Sequence, residues 1–171
     1  MTGQTLEQLA KGIKLLICDV DGVLTDGRIY FMPDPQDPTQ PIEIKVFHAR
    51  DGHGLKLLQQ AGIQVAVISG RKAPMVEARL KGLGISNIVQ GCSDKLKALG
   101  ELLPTLGIQP NEVAYIGDDT IDIEIMQAVR FPVAVKDAHP AVIRTALWTT
   151  HQNGGLGAVR ELCDLLIKHN S

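Results

Sequence analysis

Acidic residues follow the apolar segments of this chain at points where a buried strand would end. In the stretch LLICDVDGVLTDG, Asp19 and Asp21 stand two residues apart directly after an apolar run. A later apolar segment ends in Asp118 and Asp119, with Asp122 about one helical turn further on. Carboxylates so close together are costly unless a cation neutralises them, and a hard divalent cation such as Mg²⁺ prefers oxygen ligands. These residues predict a magnesium site.

A hydroxyl group and a lysine occupy similar places. Ser69 ends the apolar segment IQVAVIS, and Lys95 follows the segment SNIVQG. A carboxylate can attack phosphorus, and a second acid can protonate the leaving oxygen and later activate water. A hydroxyl and an ammonium group can hold the transferring phosphoryl oxygens. The set Asp19, Asp21, Ser69 and Lys95 therefore predicts phosphoryl transfer.

The segments that carry these residues alternate between two types. Short runs rich in Val, Ile and Leu alternate with amphipathic stretches of helical length. This alternation predicts a doubly wound, Rossmann-like α/β fold, in which a parallel sheet has helices on both faces. Ligands of such a fold bind outside the carboxyl ends of the strands. The sequence therefore predicts that the acids, Ser69 and Lys95 meet at one edge of the sheet.

One segment, residues 27–49, interrupts the alternation. Strand-like residues flank a middle with Pro33, Pro35, Pro38 and Pro41, which excludes a helix or a central strand there. We predict a protruding β-hairpin after the first strand, called the hairpin below, with a stiff polar tip. A plain surface excursion is the alternative. A tail helix is predicted at about residues 155–169.

The order of these elements resembles the haloacid dehalogenase (HAD) superfamily of phosphohydrolases. DVDGVLTDG matches its first motif, ISGR its second, Lys95 its third and GDDTID its fourth. The resemblance implies that Asp19 is the nucleophile, that Asp21 is the general acid and base, and that Ser69 and Lys95 bind phosphate. A response-regulator receiver also groups acids, a hydroxyl and a lysine, but it orders them differently along the chain.

The same resemblance assigns the acids around Mg²⁺. It implies that the metal binds the carboxylates of Asp19 and Asp118 and the main-chain carbonyl of Asp21. Asp119 and Asp122 would stand behind these ligands, with Asp122 as a partner for Lys95. Larger members of the superfamily carry an inserted cap domain, but the intervals between the motifs leave no room for one. We therefore predict a single capless domain over residues 1–171.

Longer segments resemble one family of capless phosphatases, those of 3-deoxy-D-manno-octulosonate 8-phosphate (KDO 8-phosphate). The similarity extends from about Lys14 to Ile167 and includes KVFHARDGHGLKLL, SGRKAPMVEARLKGLGI, QGCSDKLKAL, AVKDAHPAVIRTA and GGLGAVRELCDLLI. It implies a Mg²⁺-dependent homotetramer that acts in the cytoplasm on a sugar-acid phosphate of lipopolysaccharide synthesis. Neighbouring subunits would close the site. The family tail reads Gly-Gly-Arg-Gly, and this chain has Leu156 in place of the arginine.

Cationic side chains are candidates for contacts with the sugar acid. Arg71 stands closest to a strand end and could fork onto a carboxylate, although an exposed arginine at a helix start has the same pattern. Arg79 is a second candidate or a surface ion-pair partner, and Arg160 is more simply a structural residue. His53 follows the ARDG turn and could reach a substrate.

The bulk composition excludes several other classes of function. The chain has 171 residues, a net charge of −2 and 4% aromatic residues, which gives no footprint for nucleic acid. No apolar run approaches the ~20 residues of a membrane span. Three dispersed cysteines and a polar N-terminal segment favour a reduced, cytoplasmic protein.

Two alternatives to KDO 8-phosphate hydrolysis stay open on the sequence. A phosphatase of a related nonulosonate 9-phosphate would keep the chemistry and change the sugar. A HAD-like core kept only as a binding module would keep the fold and lose the chemistry.

Overall fold

The structure is a computed structural model that describes residues 5–37 and 39–170. Its eight strands in this part of the chain are β1 Leu15–Cys18, β2 Tyr30–Pro33, β3 Pro41–Ile44, β4 Gln64–Ser69, β5 Asn87–Gln90, β6 Val113–Gly117, β7 Phe131–Ala134 and β8 Trp148–Thr149. The α-helices there are α1 Leu6–Ala10, α2 Ala49–Gln60, α3 Pro74–Gly82, α4 Lys95–Leu106, α5 Ile123–Ala128, α6 Pro140–Thr145 and α7 Ala158–Asn170. Two short 3₁₀ helices span Pro110–Glu112 and Thr120–Asp122.

Six strands form one parallel sheet in the order β5-β4-β1-β6-β7-β8. Helices α1, α2 and α7 pack together, and α4, α5 and α6 form a second group. The right-handed crossovers of parallel strands put these groups on opposite faces. The central strands β1, β6 and β7 are buried along their whole length, as expected for a sheet covered on both sides. The predicted doubly wound α/β fold is confirmed.

The first strand, β1, lies at the centre of the sheet. The chain leaves β1 towards β4 on one side and returns to β6 on the other, so the strand order reverses between β1 and β6. Cys18 pairs with Val67 of β4 and with Ile116 of β6. This register brings the residues that follow the three strands to the same level, in the crevice where such folds bind ligands.

The hairpin forms a separate two-stranded sheet. Strands β2 and β3 pair antiparallel, with Tyr30 opposite Ile44 and Pro33 opposite Pro41. Pro33 and Pro41 flank the tip at one end of this ladder, and Pro38 lies outside the described residues. Exposed apolar side chains cover the hairpin, namely Ile29, Tyr30, Phe31, Met32, Ile44 and Val46. The predicted two-stranded hairpin is therefore present, and its surface is apolar as well as polar.

Some local structure differs from the sequence expectation. Helix α1 was not predicted, and it is fixed by a capping box between Thr5 and Gln8. The helix expected after β6 begins as a 3₁₀ turn, because the Asp122 side chain folds back onto the main chain of Asp118 and Asp119. Within the described residues, no helix is both long and apolar enough to cross a membrane.

Candidate active site

The loop after β1 is closed by one buried side chain. The hydroxyl of Thr25 donates to the carbonyl of Val20 at 3.3 Å and accepts from the amides of Gly22 and Gly27 at 3.4 Å. Gly22 has φ +84°, and a β-carbon there would lie 2.0 Å from Asp118 Oδ2. The spacing D-x-D-G-x-x-T thus makes a tight turn that Asp118 approaches closely, because Gly22 has no side chain.

Lys95 lies at the centre of a buried charge network. Its Nζ is 3.0 Å from Asp19 Oδ2 and 2.6 Å from Asp122 Oδ1. Tyr115 lies beneath the same carboxylate and donates to Asp122 Oδ1 at 2.6 Å. Asp19, Lys95 and Asp122 are all nearly inaccessible to solvent. The ammonium group therefore stands directly beside the predicted nucleophile, and the sequence had anticipated its pairing with Asp122.

The second oxygen of Asp122 organises the loop after β6. Asp122 Oδ2 accepts from the amide of Asp118 at 2.9 Å and from the amide of Asp119 at 3.3 Å. A β-carbon on Gly117 would lie 2.5 Å from this oxygen, so only glycine leaves room for the contact. Asp119 in turn accepts from the amide of Thr120 at 2.6 Å. Asp122 thus has a supporting position, and Asp118 is left facing Asp19.

The acids at this edge fit a small divalent cation. One carboxylate oxygen from each of Asp19, Asp118 and Asp122 lies within 4.8 Å of the others. Asp118 Oδ1 is buried and has no hydrogen-bond partner among the described residues, a condition that is costly unless another ligand satisfies it. Because Asp122 already binds Lys95 and two amides, Asp19 and Asp118 are the carboxylates available to a metal.

The pKa values of these acids reflect the same crowding. Burial, reinforced by the charge of Asp122, raises the pKa of Asp19 to about 6, although Lys95 opposes the change. Burial also raises the pKa of Asp118 to about 8, and repulsion by Asp19 and Asp122 adds to it. Burial acts to lower the pKa of Lys95, but Asp19 and Asp122 outweigh it, so that this pKa is raised. A cation between Asp19 and Asp118 would favour their charged forms.

A cleft of about 240 Å³ opens in front of this network. Its lining residues are Asp19, Asp21, Gly27, Ser69, Gly70, Arg71, Asp118, Asp119 and Ile121. The Ser69 hydroxyl accepts from the amide of Arg71 at 3.3 Å, which fixes it at the end of β4. The fold therefore gathers five predicted site residues in one cleft with Ser69, and Lys95 stands behind Asp19.

Two predicted substrate contacts lie elsewhere on the subunit. The guanidinium of Arg79 packs over the start of α2, where a β-carbon on Gly52 would be 2.5 Å from its Nη2. His53 is on the exposed face of α2. Neither residue lines the cleft within the described part of this subunit. Their roles, and the main-chain ligand from Asp21, stay predictions.

Two charged residues beside the cleft were not predicted from the sequence. Lys45, just after β3, contacts Asp21 Oδ1 and lies 2.7 Å from Glu43 Oε1. Glu43 also contacts Arg71. The signal for them was the alternation of Glu43 and Lys45 along a strand, which places both on one face.

The segment before α7 packs on the loop after β1. The amide of Gly155 donates to the carbonyl of Val23 at 2.8 Å. A β-carbon on Gly154 would lie 1.7 Å from the carbonyl oxygen of Gly22. Gly154 itself is held by Asp137, whose Oδ1 accepts from its amide at 2.9 Å. The segment before α7 thus supports the turn that carries Asp21.

The chain is similar in sequence to known proteins. A family of haloacid dehalogenase-like hydrolases matches residues 82–162. The 3-deoxy-D-manno-octulosonate 8-phosphate phosphatase KdsC of Yersinia pestis is 51% identical over 160 residues, which cover 94% of this chain and 82% of that protein. The chain belongs to this phosphatase family.

Solved structures of KDO 8-phosphate phosphatases have the same fold. The structure of the Yersinia pestis phosphatase matches with a TM-score of 0.90 and 49% identity, covering 96% of this chain and 85% of that one. The Moraxella catarrhalis phosphatase, solved with magnesium, phosphate and KDO, matches with a TM-score of 0.90 and 42% identity, covering 96% of this chain and 91% of that one. The likeness therefore extends over nearly the whole chain.

Proposed function

We propose that this protein is a Mg²⁺-dependent phosphatase that hydrolyses KDO 8-phosphate to KDO and inorganic phosphate. The observation that carries the proposal is the Asp19–Lys95–Asp122 network beside Asp118, at the back of a cleft that Ser69 also lines. The relatives named for this reaction, and one solved with magnesium, phosphate and KDO, support the choice of substrate and metal.

The reaction proceeds in two steps on the residues of this cleft. An Asp19 carboxylate oxygen attacks phosphorus and forms an aspartyl-phosphate, while the Asp21 carboxyl gives its proton to the departing sugar oxygen. Asp21, now a carboxylate, then takes a proton from a water molecule that attacks phosphorus. The bond to Asp19 breaks, phosphate leaves and Asp21 is protonated again.

The cations of the site offset the negative charge of the phosphoryl group. Lys95 and the Ser69 hydroxyl bind phosphoryl oxygens. When held by Asp19, Asp118 and the Asp21 main chain, Mg²⁺ supplies further positive charge. Arg71 lines the same cleft and is free to contact a sugar carboxylate on its exposed side. Asp122 acts through Lys95 and does not contact substrate.

The test is a comparison of kcat/KM on several sugar phosphates with Mg²⁺ present. We expect KDO 8-phosphate to exceed a nonulosonate 9-phosphate by about tenfold or more. Asp19→Asn, which keeps the shape of the side chain, should abolish turnover and leave the fold intact. A preference for the nine-carbon substrate would select the alternative phosphatase. Release of phosphate from no member of the panel would favour a non-catalytic binding module.

We further propose that the chain is a single capless domain that works as a homotetramer in the cytoplasm. The hairpin exposes apolar side chains, with Phe31 63% exposed, and Ile121 is 61% exposed at the rim of an open cleft. Such surfaces are typical of protein interfaces, and a neighbouring subunit would exclude water from the cleft. Light scattering that shows an active monomer would contradict the assembly, and fractionation of cells would test the compartment.

A further inference from the structure

Four charged side chains form a cluster of ion pairs that links the hairpin to the cleft. Lys45 contacts Asp21 and lies 2.7 Å from Glu43, while Arg71 contacts Glu43 and lies 3.9 Å from Asp21 Oδ2. The cluster holds two carboxylates and two cations, so its formal charges balance. It joins three segments: the turn after β1, the base of the hairpin and the loop after β4.

Lys45 is the most deeply placed member of this cluster. Its side chain is 2% exposed, compared with 27% for Asp21, 22% for Glu43 and 46% for Arg71. An ammonium group at that depth requires hydrogen-bonded acids around it. Glu43 alone cannot balance the charge of Lys45, because Glu43 also pairs with Arg71. The Asp21 carboxylate is therefore held on the side where Lys45 stands.

This placement matters because Asp21 must point towards the leaving oxygen to act as the general acid. A general acid has to lie within hydrogen-bond reach of the oxygen that it protonates. Among the described residues, Lys45 and Arg71 are the cations that contact the Asp21 carboxylate. Of these two, Arg71 is almost half exposed and faces the cleft, whereas Lys45 is enclosed and cannot move away without leaving Glu43.

We infer that Lys45 is a positioning residue that holds the Asp21 carboxyl in line with the leaving oxygen, so that protonation of the leaving group depends on the base of the hairpin. The inference rests on the proposed phosphatase function and deepens it. The proton still travels from Asp21 to the sugar oxygen as that oxygen separates from phosphorus and phosphorus bonds to Asp19. Lys45 donates no proton and forms no covalent bond in this step.

The leaving group offers a test that a purely structural role would fail. A sugar alkoxide must be protonated as it departs, whereas p-nitrophenolate is a stable anion that departs without a proton. The ratio kcat/KM covers the steps up to release of the leaving group. We expect Lys45→Met to lower kcat/KM for the sugar-acid phosphate by about 10²-fold, the lower end of what general acids contribute, and to leave p-nitrophenyl phosphate nearly unchanged.

Matched variants separate charge from bulk. Lys45→Arg keeps a cation and should retain more sugar-phosphate activity than Lys45→Met. Lys81→Met removes an exposed lysine that pairs with Glu77, and it should leave kcat/KM unchanged for both substrates. Asp21→Asn should show the same dependence on leaving group as Lys45→Met, with a larger loss. On the sugar phosphate alone, the Lys45→Met loss should fall on kcat and not on KM.

The outcomes distinguish this inference from the proposed function. An equal loss on both substrates, a loss confined to KM, or no loss at all would overturn the positioning role of Lys45. If Lys45→Met does not fold, Lys45→Gln, which keeps a donor of similar length, replaces it in the same comparison. A wild-type enzyme that releases phosphate from neither substrate would overturn the phosphatase itself, whatever the variants do.

Discussion

The buried edge of the sheet and the hairpin present opposite kinds of surface, the first charged and enclosed, the second apolar and exposed. The buried edge, formed by Asp19, Lys95, Asp118 and Asp122, groups its charges within one chain, and Lys95 pairs with Asp19 and with Asp122. The hairpin exposes an apolar surface, and within the described residues its two strands pair only with each other. The difference shows that the charged network is assembled within one chain, and it supports the proposal that a neighbouring subunit covers the cleft.

The two regions also differ in what a substitution should do to them. Removal of a partner at the buried edge leaves a charge without compensation in a place that water does not reach. A change at an exposed apolar residue of the hairpin leaves no buried charge unpaired. The predictions below run from the largest expected change in the free energy of unfolding to the smallest.

The first prediction tests the buried edge. Asp122→Ala removes the carboxylate that binds Lys95, Tyr115 and the amides of Asp118 and Asp119. We expect the free energy of unfolding to fall by about 3 to 5 kcal/mol, as for other broken buried ion pairs, together with a loss of phosphatase activity. Unfolding in urea measures the change.

The control for this variant is an exposed ion pair. Glu101 lies 3.9 Å from Lys97 on α4, and both side chains are 72% exposed. Glu101→Ala should cost about 0.5 kcal/mol or less. Equal losses for Asp122→Ala and Glu101→Ala would show that the buried edge is not a special part of the molecule.

The second prediction concerns Mg²⁺ and pH. The pKa values of Asp19, about 6, and Asp118, about 8, stand above the ordinary value of 3.8. In metal-free protein their protonation therefore stabilises the fold fully below about pH 4, and this stabilisation is lost as the pH rises towards 8. Mg²⁺ relieves the repulsion that remains, so it should raise the Tm more at pH 8 than at pH 6.

The size of this effect follows from mass action. At 100 times its Kd, a ligand of the folded state adds about 2.7 kcal/mol. Calorimetry with and without Mg²⁺ at the two pH values measures the gain. Asp118→Asn should remove most of it, and a gain independent of pH would contradict the assignment of these acids to the metal.

The third prediction concerns the hairpin. Phe31→Ser replaces an exposed aromatic side chain, so the stability of the isolated subunit should change by about 0.5 kcal/mol or less. Its assembly should weaken, because large aromatic side chains dominate interface energies. Light scattering and sugar-phosphate turnover measure the result. Leu147→Ser, at a 44% exposed residue outside the hairpin, should leave the assembly intact.

The sequence predicted the buried edge well because parallel strands enforce a simple rule. The acids, Ser69 and Lys95 all lie at the carboxyl end of a parallel strand or in the loop that follows it. The fold brings these strand ends together at one edge of the sheet. The pairing of Lys95 with Asp122 was also foreseen. Lys45 was missed because its contact with Asp21 depends on where the hairpin lies relative to the turn after β1, and the alternation of Glu43 and Lys45 does not show that position.

Other details depend on packing that a sequence does not display. Tyr115 looks like an ordinary core residue of β6, and only the structure shows its hydroxyl on Asp122. The bend into the 3₁₀ turn depends on the same carboxylate. Arg79 and His53 follow suggestive motifs, yet their helices carry them away from the cleft of their own subunit.

Gly154 packs on Gly22, although the ribosome adds these two residues to the chain at widely separated times. The chain emerges from its N-terminal end, so all four motifs are synthesised before Gly154 can pack on the turn that carries Asp21. Gly22 in turn packs on Asp118. A nascent chain therefore holds all four motifs before it holds the segment that packs on their turn, and the proposed site is completed only after Gly154 has been made.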